Sequence, residues 1–305
     1  MTVLRIATRR SSLAMAQAGI VRMLLAAQGH EAVLLPLSTS GDEDGPRAAG
    51  DGKDRWVDAI VESLRSGDAD LAVHSAKDLP ADDPDDLTIG AVPQRGDPHD
   101  VLVAADPAFV DEEGRPRPGA RVGTSSLRRA ALLRAAFPGI EIVELRGNVP
   151  TRLRKVSAEG VADIAVLAAA GLARLELEPA NVVPLGIDVM VPAPGQGTLA
   201  VQCRADDRPL LAALTLLDHR ASRVALTAER ALTRGLGGDC NLPLGAIAVT
   251  NADTVRLAAC VAMPDGSEVL RAAADAAEPD RAAEIVAAQL RRDGADRILD
   301  AIRTP

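Results

Sequence analysis

The chain has 305 residues, 34 Lys and Arg against 43 Asp and Glu for a formal net charge of −9, and 47% hydrophobic residues. That length calls for two or three domains, and the acidic balance with only three aromatic residues, Trp56, Phe109 and Phe137, offers nucleic acid neither an attractive field nor a stacking platform. Cys203, Cys240 and Cys260 lack the paired spacing of a disulfide framework or zinc site, and MTVLRIATRR opens without the apolar run of a signal peptide or membrane span. A cytoplasmic protein acting on a small molecule is expected, with no metal, membrane or nucleic-acid partner.

In chain order, TVLRIA reads as a buried strand, TRRSS as a polar turn and LAMAQAGIVRMLLAAQG as a helix. A strand at AVLLPLS, a glycine- and charge-rich loop, a helix at WVDAIVESLRSG and a strand at ADLAVHS follow. The same order then returns in ARVGTSS, LRRAALLRAAF, IEIVEL, PTRLRKVSAEG and ADIAVLAAAG, with ADLAV and ADIAV at corresponding places. Alternation of this kind implies parallel sheets covered on both faces, hence two similar α/β domains with a ligand cleft between them. VPAPGQGTLAVQCR, residues 191–204, looks like a loop entering a strand and suits a return crossing. Beyond residue 217 come a helix RVALTAERALTRG, a glycine-rich loop around Cys240, strands GAIAVT and VRLAACVAM, a PDGS turn, a strand EVLRAAA and one last helix over RAAEIVAAQLRRDGADRILDAI, which together make an α+β domain. The expected division is 1–95 with return segment 191–212, then 96–190, then 213–305.

Charge is unevenly spread. Residues 121–155 hold eight basic side chains (Arg121, Arg128, Arg129, Arg134, Arg146, Arg152, Arg154, Lys155) against Glu141 and Glu144, an excess of six that should face an anion. In VGTSSLRRA, Thr124, Ser125 and Ser126 stand where a strand turns into a helix, whose free N–H groups favour an anion, and Arg128 and Arg129 add forks suited to carboxylate or phosphate. ATRRSSLA repeats the arrangement with Arg9, Ser11 and Ser12. The plainer reading is that these hydroxyls cap helices and the arginines are solvated. In VHSAKDLPADD a buried strand ends at His74, Ser75, Lys77 and Asp78, where α/β sheets place their chemistry. Lys77 and Asp78 there form either a simple charge pair before Pro80 or a site in which an ionised aspartate stabilises a developing cation. His99 and His219 show no partner and read as surface residues. Cys203 and Cys260 lie in apolar strand-like surroundings and read as small core residues. Cys240, in LGGDCNLPLG, sits in a polar loop where a thiol is available as a nucleophile or attachment point.

RIATRRSSLAMAQA, HSAKDLP, RGDPHDVLV, VGTSSLRRA, LRGNVPTRL, PAPGQGTLAVQCR and the cysteine loop occur in the order that resembles the porphobilinogen deaminase family, from about residue 4 onward. The resemblance implies two domains like those of type II periplasmic binding proteins and a third carrying a cofactor cysteine. It implies that Cys240 holds a dipyrromethane through a thioether, and that porphobilinogen molecules lose ammonia to give an electrophilic azafulvene that the tethered chain attacks. Four additions and hydrolysis release hydroxymethylbilane. It further implies that Lys77, Asp78, Thr124, Ser125, Ser126, Arg128, Arg129 and Gly171 bind the cofactor, with Asp78 the catalytic residue. Arg9, Ser11, Gln17, Arg146, Arg152 and Arg174 would bind substrate and growing chain, and Lys53 and Trp56 would belong to a flap at residues 48–56. A monomer is expected. Departures from the family pattern are Ala76 in HSAKD, Asp239 beside the cysteine, and Trp56 and Asp58 in the flap region. The rival reading is a non-catalytic two-lobed binding protein for a carboxylate-rich ligand, which leaves Cys240 and the third domain without a role.

Overall fold

The computed structural model describes residues 3–37, 54–237 and 242–303. Lys53 and Cys240, and the side chain of Trp56, lie outside the described residues. The chain opens with β1 (Leu4–Arg9), α1 (Ser12–Ala27), β2 (Ala32–Leu37), α2 (Asp54–Arg65), β3 (Leu71–Ser75) and β4 (Leu87–Ala91). It continues with β5 (Asp100–Ala104), β6 (Arg121–Gly123), α3 (Leu127–Ala136), β7 (Glu141–Val143), α4 (Val149–Ser157), β8 (Ile164–Ala168), α5 (Ala169–Arg174) and β9 (Val182–Pro184). Strand β10 (Leu199–Arg204) and helix α6 (Arg208–Leu214) precede α7 (Arg220–Gly235), β11 (Leu244–Asn251), β12 (Thr254–Ala262), β13 (Val269–Ala276), α8 (Pro279–Arg292) and α9 (Ala295–Arg303).

Met1–Gly96 and Thr198–Arg223 form one compact unit, Asp97–Gly197 and Val224–Pro305 a second. The first unit is built on a sheet of order β2-β1-β3-β10-β4. Side-chain alternation gives β1 two buried faces: Ile6 packs with Ala18, Val21 and Leu25 of α1, and Ala7 with Ile60 and Leu64 of α2. The second unit contains a sheet of order β7-β6-β8-β5-β9, the same arrangement built a second time, and a three-stranded antiparallel sheet β11-β12-β13. The antiparallel sheet is backed by α7, α8 and α9 through a core that includes Leu232, Leu257, Val286 and Ile298. The two five-stranded sheets with their helices are α/β, and the C-terminal region is α+β. No helix among the described residues is long and apolar enough to cross a membrane.

Two expectations need correction. The five-stranded sheets are not wholly parallel: β10 runs antiparallel between β3 and β4, and β5 antiparallel between β8 and β9. Both strands enter their sheets from non-helical connections rather than crossover helices, so the alternation argument did not govern them. The last helix is two helices, because Gly294 takes φ +104 between α8 and α9, a left-handed conformation that favours glycine and ends α8.

The repeated ADLAV and ADIAV have a structural cause. Asp70 accepts the Arg5 amide at 2.7 Å and its guanidinium at 3.1 and 2.8 Å. Asp163 does the same for Arg121, at 2.8 Å from the amide and 3.3 and 2.6 Å from the guanidinium. Each pair fastens the start of one parallel strand to the loop before its neighbour, β1 to β3 and β6 to β8.

Candidate functional site

In the first unit the chemistry-bearing residues follow the carboxyl ends of adjacent parallel strands. β1 ends at Arg9, and the Ser11 hydroxyl caps α1 by accepting the Ala14 amide at 3.3 Å. Gln17 is buried one turn further on. β3 runs into a 3-10 turn, Ala76–Asp78, in which Lys77 and Asp78 are half-buried. The Ala76 amide donates to the Thr198 carbonyl at 3.0 Å, tying this turn to the approach to β10.

In the second unit the equivalent turn after β6 carries Thr124, buried, Ser125, exposed, and Ser126, which caps α3 by accepting the Arg129 amide at 3.4 Å. The first turn of α3 then directs Arg128 and Arg129 inward, to 4% and 6% exposure, against Asp100 at the start of β5, which is fully buried. Asp100 Oδ1 accepts Arg129 Nη2 at 2.6 Å, Arg129 Nε at 3.0 Å and Gln196 Nε2 at 3.0 Å, and Oδ2 lies 2.8 Å from Arg128 Nη2. Arg128 Nη1 donates to the Val191 carbonyl at 2.7 Å and Arg129 Nη1 to the Val166 carbonyl at 2.8 Å. Burial alone would raise the Asp100 pKa, but the two guanidinia outweigh it and hold the carboxyl well below the usual range. Burial lowers the Arg128 pKa, opposed by Asp100. Two cations against one carboxylate leave the cluster net positive, and each guanidinium has five N–H groups, more than these bonds use.

The loop PAPGQG is fixed from three sides. Gly195 and Gly197 adopt φ +73 and +82. The buried carboxylate of Glu229 on α7 accepts the Gly195 amide at 2.6 Å and the Ala248 amide of β11 at 2.8 Å. Gln196 reaches Pro98 and Asp100, and Arg174 at the end of α5 donates to the Gly197 carbonyl at 2.5 Å. Burial pulls Arg174 down to about 10. Gly171 is buried in α5, the element that follows β8.

The structure thus gathers Thr124, Ser125, Ser126, Arg128, Arg129, Gly171 and Arg174 at the ends of β6 and β8, and Arg9, Ser11, Lys77 and Asp78 at the ends of β1 and β3. It also corrects the reading of the basic segment, because several of its charges are matched by acids outside it. Arg121 pairs with Asp163, Arg128 and Arg129 with Asp100, and Arg154 with Glu159. Arg146 pairs with Glu144, and Arg152 donates to the Gly147 carbonyl at 2.8 Å. The histidines set aside as lacking partners have them: His99 contacts Asp97 at 2.6 Å and His219 contacts Ser222 at 2.9 Å. Cys203 and Cys260 are buried free thiols; burial pushes Cys203 up to about 11 and raises Cys260 as well. Asp100, Gln196 and Glu229 were missed as site residues. The signal for Asp100 was an acid opening the apolar run VLVA, and a buried acid needs a cation.

The buried arginine cluster at the strand ends is net positive, and guanidinium forks are of the chemistry that pairs with carboxylates or phosphates. Residues 4–212 match the family model described as porphobilinogen deaminase, dipyromethane cofactor binding domain, and residues 224–291 match that of the porphobilinogen deaminase C-terminal domain. The chain is 47% identical to a porphobilinogen deaminase of Roseiflexus sp. (strain RS-1), with 87% of each chain covered. It is 43% identical to one of Mycobacterium avium (strain 104), over 99% of this chain and 98% of that one. A substrate-binding domain of Lactococcus lactis GlnP superposes with a TM-score of 0.43 at 12% identity, over 78% of this chain and 91% of that chain. The chain belongs to the porphobilinogen deaminase family of transferases.

Proposed function

We propose that the chain is a hydroxymethylbilane synthase, which condenses four porphobilinogen molecules with loss of ammonia and hydrolytically releases the linear tetrapyrrole. The observation that carries this reading is the Arg128, Asp100 and Arg129 cluster, a net-positive centre assembled at the strand ends of a chain of this family. Its donors fit a dipyrromethane, whose periphery is carboxylate: guanidinium N–H groups left over from Asp100 and the exposed Ser125 hydroxyl in the same turn. Bound through Cys240, that group supplies the nucleophilic carbon from which the tetrapyrrole grows.

The roles of the chain's own residues follow from charge. Lys77, Thr124, Ser125, Ser126, Arg128 and Arg129 hold cofactor carboxylates, with Gly171 giving backbone access. Arg9, Ser11, Gln17, Arg146, Arg152 and Arg174 take the carboxylates of incoming and added rings. Asp78 accepts pyrrole N–H groups and stabilises the positive charge that develops as ammonia departs. Lys53 and Trp56 act in a flap. The three-domain division 1–95 with 191–212, 96–190 and 213–305, a monomeric state and a cytoplasmic location complete the proposal. Family membership favours the enzyme over a non-catalytic binding protein. The test is consumption of porphobilinogen by the purified chain with chemical trapping of the linear tetrapyrrole; a chain that retains porphobilinogen unchanged would restore the binding-protein reading.

A further inference from the structure

Between β7 and α4 the backbone around Arg146 is held from several directions. Gly147 adopts φ +118, and a Cβ there would lie 2.7 Å from Thr151 Cγ2, so only glycine lets the chain turn this closely onto α4. The Asn148 side chain caps α4 by accepting the Thr151 amide at 2.9 Å, Lys155 Nζ donates to the Arg146 carbonyl at 3.1 Å, and Arg152 Nε donates to the Gly147 carbonyl at 2.8 Å. Two cations of α4 therefore help to fix the backbone of the segment, which leaves the Arg146 side chain as its adjustable part.

That side chain already has a partner. Leu145 is buried, while Glu144 and Arg146 on either side of it are exposed. Arg146 Nε and Nη2 both reach Glu144 Oε1 at 2.7 Å. These two N–H groups form one of the edges with which a guanidinium grips a carboxylate. We infer that Glu144 competes with substrate carboxylates for Arg146 and so lowers the affinity of the site for porphobilinogen. The inference rests on the proposed function, in which Arg146 takes ring carboxylates. A carboxylate arriving at Arg146 meets an occupied guanidinium edge and a like charge beside it. Because the two side chains are 59% and 64% exposed, the exchange is inexpensive and the effect moderate.

Glu144→Gln keeps the shape and a carbonyl oxygen for Arg146 but removes the charge. Its kcat/KM for porphobilinogen at low ionic strength should exceed that of the wild type about two- to fivefold. The ratio should shrink towards one in about 1 M salt, where charges are screened beyond about 3 Å. Glu141→Gln removes the same charge from exposed Glu141, three residues earlier on β7, and should leave kcat/KM unchanged. A kcat/KM that is unchanged or lower in Glu144→Gln, a gain that salt does not diminish, or an equal gain in Glu141→Gln overturns the competition at Arg146. A wild type that does not consume porphobilinogen overturns the enzymatic reading itself, whereas an active wild type without a gain in Glu144→Gln overturns the competition alone.

Discussion

Asp100→Asn tests the electrostatics of the site most sharply. Asp100 is fully buried and meets Arg129 at 2.6 Å and Arg128 at 2.8 Å, both guanidinia themselves nearly inaccessible. The amide keeps the shape and removes the charge, so two buried cations lose their counter-ion. Breaking a buried ion pair in this way costs about 3–5 kcal/mol, which should lower the melting temperature by roughly 6 °C or more. The pH dependence has a definite sign. The folded-state pKa of Asp100 is depressed, so its contribution is complete above the unfolded-state value of about 4 and is lost as pH falls through the folded value. The stability gap between wild type and Asp100→Asn should be full at pH 7 and narrow progressively below about pH 4. Adding Arg128→Met removes the excess cation, so the double variant should lose less than the sum of the singles, by about 0.5–3 kcal/mol in a double-mutant cycle. Denaturant unfolding at several pH values measures all of this. An Asp100→Asn protein as stable as wild type at pH 7, or strict additivity, would refute the account of a charge-locked arginine pair.

Asp78→Asn should fold and retain its melting temperature but form hydroxymethylbilane at least about 100-fold more slowly, the usual loss for a preorganised charge partner; near-normal turnover removes Asp78 from the chemistry. Neither Cys203 nor Cys260 should react with a thiol reagent in the native state at pH 8, because burial raises both and holds Cys203 at about 11; rapid labelling of either would contradict the buried placement. Gly294→Ala should cost about 1 kcal/mol, measured by denaturation, since φ +104 is unfavourable to any side chain even where the surroundings are open.

Much of the fold could be read from periodicity. The strand, turn and helix of residues 2–29 and of 120–137 follow from apolar spacing and from serine caps, which the structure shows at Ser11 and Ser126. The repeat was visible in ADLAV and ADIAV, although its cause, an aspartate clamping an arginine on the neighbouring strand, needs the register to be seen. Strand direction was not legible for β5 and β10, because a connection without a helix leaves no periodic trace of which way the chain returns. The site shows the same limit. Basic excess over residues 121–155 was measured along the chain, whereas Asp100, Asp163 and Glu159 offset part of it across the fold. The acid that Arg128 and Arg129 share lies 28 residues before Arg128, and only the folded chain brings the two within 2.8 Å. Glu229 was invisible for the same reason, since its role is to join two backbone amides, Gly195 and Ala248, from distant segments.

A synthase primed by a dipyrromethane on Cys240 would reveal itself in the intact mass of the purified protein and of Cys240→Ser, each before and after brief exposure to porphobilinogen. The wild type should be heavier than its sequence by two linked pyrrole units and gain further units stepwise with substrate, and the serine variant should carry none. A wild type at its bare sequence mass that remains there in the presence of porphobilinogen would contradict a dipyrromethane-primed synthase.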